Sequence, residues 1–169
     1  MSSKWSVVDV VRDHYETFVD AESGQWLLRD YVGMVAVPIG LGGLVAWRDP
    51  SLAGAGAMLS GVGIFTAGLF GLLLQVFSLA TRVVDDPRLA GQTRLSRLVD
   101  ELETNVSYAV VVGLMTTAAL MVANSWHQLP SAQARWGNGF LVALIVHLVL
   151  TVFMAIKRTR AVYRKMRGL

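Results

Sequence analysis

The chain has 169 residues, 54% of them hydrophobic and 16% charged, against about 25% charged in an ordinary soluble domain. That length suits one domain, and apolar residues gathered into runs exclude a disordered chain and argue against a soluble globule. Cysteine is absent, which removes disulfides, thiolate metal sites and cysteine nucleophiles.

Residues 1–24 read as an amphipathic helix. Val8, Val11, Tyr15 and Phe18 recur at helical spacing, and Asp9, Arg12, Asp13, Glu16 and Asp20 fall largely elsewhere on the wheel. Ser23-Gly24 supplies the stop. With five acidic residues against Lys4 and Arg12, the segment is ill suited to anionic lipid. It is either a docking or gating element or an interfacial helix covering its own apolar stripe.

Four charge-free stretches follow, at residues 31–47, 51–81, 104–134 (apolar to about 126) and 136–156. A hydrocarbon core of about 30 Å needs about 20 helical residues. The first stretch, with 17 residues, needs Leu27 and Leu28 to complete a crossing, and the second, with 31, must tilt or project. The expectation is an all-α polytopic membrane protein with four transmembrane helices near 27–47, 53–80, 105–126 and 136–156. Pro38, beside Gly40, Gly42 and Gly43, predicts a kink in the first span. In the second, Ala53, Ala57 and Gly61 form one ladder of small residues, and Gly63, Ala67 and Gly71 form another. Such ladders favour close helix pairing, with the first span or with a neighbouring copy.

Residues 82–103 predict a helical hairpin between spans two and three. Asp85-Asp86-Pro87 breaks the extension of span two, because proline cannot continue the backbone ladder. Thr93 can cap a helix whose stripe Leu95, Leu98, Val99 and Leu102 continues into Val106. Arg82, Arg88, Arg94 and Arg97 can hold a phosphate-bearing ligand, a nucleotide or oligonucleotide. The competing reading is a solvated face with Arg97–Glu101 as an ordinary i,i+4 pair.

Inside the spans no Asp, Glu, Lys or Arg occurs, which disfavours proton- or cation-coupled export. The intramembrane polar residues are His147, Thr151, Gln75, Asn124, Thr116 and Thr117, and they serve as pore lining or as interhelical glue. His14, His127 and His147 are expected at three different depths, unable to meet in one subunit. No nucleophile–base set or metal-ligand cluster is visible, so an enzyme is not expected, nor a cofactor.

The basic residues set the orientation. Thirteen of the 15 Lys and Arg lie in the first thirty residues, the hairpin and the tail of residues 157–169; Arg48 and Arg135 lie in the other loops. The positive-inside rule then places both termini in the cytoplasm. Trp47, Trp126 and Trp136 would mark the outer boundary, and Trp26, Tyr31 and Tyr108 the inner one.

His14-Tyr15, Gly24, Asp30-Tyr31 and Pro38, then Ile64-Phe65, Leu69-Phe70 and Asn105-Val106-Ser107-Tyr108, form a pattern over about 100 residues. The pattern resembles small four-transmembrane-helix membrane effectors of bacterial anti-phage defence systems. The resemblance implies a homo-oligomeric channel in the bacterial inner membrane. Such a channel is opened by a cytoplasmic ligand beside a cytosolic sensor or nucleotide-synthesising partner, and it disrupts the membrane of an infected cell.

The expected function is therefore a nonenzymatic, oligomeric channel or pore, with a tetramer as the working guess, gated from the cytoplasmic side. The alternatives are a nonconducting scaffold that recruits a cytosolic partner and a holin-like lytic protein.

Overall fold

A computed structural model of the chain describes residues 7–16, 28–48, 55–85, 93–125 and 131–167. These form five α-helices: α1 (Val7–Glu16), α2 (Leu28–Arg48), α3 (Ala55–Asp85), α4 (Thr93–Ser125) and α5 (Ser131–Arg167). Among the described residues there is no strand. The protein is all-α, and α3, α4 and α5 are each long and apolar enough to cross a membrane. A shorter apolar segment, Val32–Arg48, lies in α2. With its start at Leu28, α2 has 21 residues, which at about 1.5 Å per residue reach about 30 Å.

Large apolar side chains point outward along four helices, among them Ile39, Ile64, Leu114, Phe140 and Phe153. A surface of this kind suits a lipid surrounding and would be an aggregation hazard in water. Trp47 and Trp136 are 81% and 66% exposed at the same end of the molecule, as interfacial anchors are.

The helices stand in the order α2–α5–α4–α3, each packed against its neighbour, with α1 laid on α4. Among the described elements α2 and α3 do not pack on each other, so the array is an open row and not a closed four-helix bundle. Adjacent helices run antiparallel. The start of α2, the end of α3, the start of α4 and the end of α5 therefore share one end, which carries Arg82, Arg97, Lys157, Arg158 and Arg160.

At that basic end, Val76 and Val83 of α3, Leu95, Val99, Leu102 and Val106 of α4, and Ala155 and Val162 of α5 form one buried cluster. The predicted stripe on residues 95–106 is its spine. Helix α3 ends at Asp85, immediately before Asp86-Pro87, where the sequence places the break. The hairpin consists of the ends of α3 and α4 with residues 86–92 between them. The basic tail is likewise no separate element: α5 continues without interruption to Arg167. Its cations from Lys157 to Arg160 thus lie on the helix body and not at a helix end near 156.

Candidate functional site

Proline in a helix interior has no N–H to offer the carbonyl four residues earlier. In α2 that carbonyl belongs to Met34, four residues before Pro38, and Met34 is buried. The missing donor comes from another helix: His147 Nδ1 of α5 lies 3.1 Å from the Met34 carbonyl oxygen. A carbonyl only accepts, so His147 Nδ1 donates to it. The Tyr108 hydroxyl of α4 shares a hydrogen bond with His147 Nε2 at 2.8 Å, with the two rings edge to face. On its other face Tyr108 stacks on the His14 imidazole of α1, ring centroids 3.8 Å apart and planes within 7°. A continuous chain, His14–Tyr108–His147–Met34 carbonyl, buried except at the half-buried His147, therefore links four of the five helices.

Two features hold this chain in place. The first is a close approach between α2 and α5, eight residues along each helix from the Met34–His147 bond. A Cβ on Gly42 would sit 2.5 Å from the Gly139 carbonyl oxygen and 2.9 Å from the Ala143 Cβ. A Cβ on Gly139 would sit 2.6 Å from the Gly42 oxygen and 2.8 Å from the Ala46 Cβ. Only glycine allows that backbone contact. The second is a cluster of Leu69, Tyr108, Ala109, Val110, Val112 and Leu148, against which Val10 and Val11 of α1 pack. Val11 of the predicted stripe, with Val10, thus packs on the helices of its own chain.

His14 has no exposed surface. Burial holds its pKa down at about 3 from an ordinary 6.5; the nearby His147 and Arg158 push the same way, and a hydrogen bond with Asn105 opposes them. Asn105 is fully buried and donates from its amide nitrogen to the Glu101 carbonyl. Glu101 in turn binds Arg158 of α5 and, at 3.3 Å, Arg97 one turn back on α4.

The structure brings together residues that sequence reasoning kept apart. His14 and His147 were expected at separate depths, yet one tyrosine ring joins them, because α1 folds back onto α4. Tyr108 is 6% exposed and acts as the central link, not as a boundary aromatic. The available signal was Pro38 itself: an interior proline obliges a search for a donor to Met34. The pairing of Gly42 and Ala46 with Gly139 and Ala143 was also visible at i,i+4 spacing.

Other predicted site residues are placed differently. Thr116, Thr117 and Thr151 donate to carbonyls in their own helices, those of Val112, Gly113 and His147, and Thr116 and Thr151 are fully buried. They do not line an open path in the single chain. Gln75 and Asn124 are exposed. In the α3 ladders, a Cβ on Gly61, Gly63 or Gly71 would meet nothing within 4 Å, and Ala57 and Ala67 are exposed; within one chain the described residues of these ladders pair with no helix. Arg82 is exposed, and Arg97 makes the predicted pair with Glu101. Ala53, Arg88, His127, Trp26, Trp126 and Ser23-Gly24 lie outside the described residues, and of the Arg94 side chain nothing is described.

His14, Pro38, Asn105 and Tyr108, which helped carry the resemblance noted from the sequence, converge on this one constellation. Comparison with protein-family models, curated proteins and solved structures finds no match to the chain.

Proposed function

We propose that the protein is a four-span membrane channel of a bacterial inner membrane, with both termini cytoplasmic, assembled from several copies and opened from the cytoplasmic side. The observation that carries this reading is the largely buried chain from His14 to the Met34 carbonyl. It gives a helix outside the spans a grip on α4, α5 and α2, as gating requires. Conduction is assigned to an assembly because the internal hydroxyls and His147 are already committed to bonds inside one copy. The exposed Gln75, Asn124 and small α3 residues are left for contacts between copies. A tetramer is our working stoichiometry. The opening signal is a phosphate-bearing ligand, a nucleotide or oligonucleotide, at Arg82, Arg88, Arg94 and Arg97, made or sensed by a cytosolic partner in anti-phage defence.

Ion flux from liposomes holding the purified chain, together with the mass of the detergent-solubilised complex, tests the proposal. We expect a discrete oligomer and a flux altered by Gln75→Leu. A monomer that leaves flux at the level of empty liposomes overturns it.

A second reading, a scaffold for a cytosolic partner, is favoured by the exposed Lys157, Arg160, Arg164 and Arg167, which share one face of α5 beside the exposed Tyr163. Charge reversal at Arg160 and Arg164 that abolishes partner recovery, in a protein without flux, selects it.

A further inference from the structure

The docked α1 is short. Its ten described residues are by themselves too few to hold helical form in water, so the surface they cover supports them. That surface is the apolar cluster around Tyr108, reached by Val10 and Val11, with His14 stacked on the tyrosine ring. Among the described residues of α1, His14 is the titratable side chain with no exposure. From α4 it faces the Tyr108 ring and the Asn105 amide, and from α5 it faces His147 and the Arg158 guanidinium. On its own helix Arg12 and Asp13 are exposed. The Glu101 carboxylate, which binds Arg158, is shared with Arg97. A proton added to His14 would put a second cation beside Arg158, on a ring with no exposed surface.

We propose that α1 is an acid-released latch: with His14 neutral it is clamped over α4, and protonation of His14 frees it. The direction follows from linkage. An imidazole whose pKa is lower when docked favours docking above its free pKa, and that preference is lost as pH falls below the free value toward the docked one. With about 3 docked and about 6.5 free, the undocked-to-docked ratio rises about tenfold between about pH 7.5 and about pH 5.5. The tenfold change corresponds to about 1.4 kcal/mol. Release also removes the ring stacked on Tyr108, the residue that holds His147 and through it α2. The inference rests on the channel reading only for its consequence: acid would open the pore in the absence of ligand.

The chain has no cysteine, so a single Val10→Cys reports exposure of the latch by maleimide labelling of the full-length protein in nanodiscs. The exposed Asp13→Cys serves as reference for the pH dependence of the thiol itself, and Val11→Cys, half-buried against the same cluster, is a second reporter. The expected result is a labelling ratio, Val10→Cys or Val11→Cys over Asp13→Cys, that rises about tenfold from about pH 7.5 to about pH 5.5. In a His14→Phe background, which keeps a ring on Tyr108 and takes no proton, the ratio stays flat. A flat ratio with His14 present, or an equal rise with His14→Phe, overturns the proposal. Liposome flux separates the two readings. An acid-dependent ratio in a chain that stays monomeric and gives no flux leaves the latch standing and removes the channel; flux from an oligomer with a flat ratio does the reverse.

Discussion

Replacing Pro38 by alanine restores a backbone N–H four residues after Met34, inside the helix that carries both. The Met34 carbonyl then has a donor in its own helix and no longer needs His147. That alters what His147 is worth. With Pro38 present, His147→Leu strands two buried groups, the Met34 carbonyl and the Tyr108 hydroxyl, now bonded at 3.1 and 2.8 Å. Interhelical bonds in membrane proteins average about 0.6 kcal/mol and reach about 1.7. A buried group left without a partner costs about 1–3 kcal/mol. The single substitution should therefore cost about 2–4 kcal/mol. In a Pro38→Ala background only the tyrosine is stranded, and the cost of His147→Leu should fall by about 1 kcal/mol or more. Tyr108→Phe is the control, because it removes the other bond and should add to Pro38→Ala without coupling. The assay is reversible unfolding in mixed micelles, read as a four-protein cycle. Additivity of His147→Leu and Pro38→Ala within about 0.3–0.5 kcal/mol would mean that the carbonyl bond carries no stability, and the reasoning fails.

Two adjacent glycines in α2 should behave oppositely. Gly42→Ala presses a methyl against the Gly139 backbone at 2.5 Å and should destabilise the fold by about 1–3 kcal/mol. Gly43→Ala meets nothing within 4 Å and should be neutral or gain up to about 1 kcal/mol in helix propensity. Thermal midpoints in detergent compare them, and equal losses would contradict the close α2–α5 contact. At the start of α4, partial burial raises the Glu103 pKa, and Asp100 raises it further. A carboxyl whose folded pKa lies above its unfolded one opposes folding once ionised. Glu103→Gln should therefore raise the unfolding midpoint near neutral pH, and the difference should shrink as pH falls through the raised pKa. An advantage that persists unchanged at about pH 4 would contradict that origin.

The apolar helices were legible because their information is local. A run without charge long enough to cross a bilayer can be read from composition, and Asp86-Pro87 marks where the backbone ladder of α3 must stop. The same holds for the stripe Leu95, Val99, Leu102 and Val106, a periodic pattern whose buried face follows from spacing alone, and for the i,i+4 pair of Arg97 and Glu101. The four-residue link between Pro38 and the orphaned Met34 carbonyl is equally local.

Which donor answers that carbonyl was not. His147 lies 113 residues from Met34, and its choice depends on the order α2–α5–α4–α3 and on how each helix is rotated about its axis. Apolar stretches of similar composition leave both open, since lipid solvates every face almost equally well. For the same reason small residues alone did not say which ladder would pair: the backbone contact fell to Gly42 and Gly139, and the richer α3 ladders stayed on the outside. The amphipathic character of α1 required a surface to cover, but folding alone decided that the surface is α4 of its own chain and that His14 lands on Tyr108. Sequence determined that these helices form and where they end. Tertiary structure determined which polar groups meet inside, because in a lipid surrounding those few bonds and one close backbone contact, and not apolar burial, select the partners.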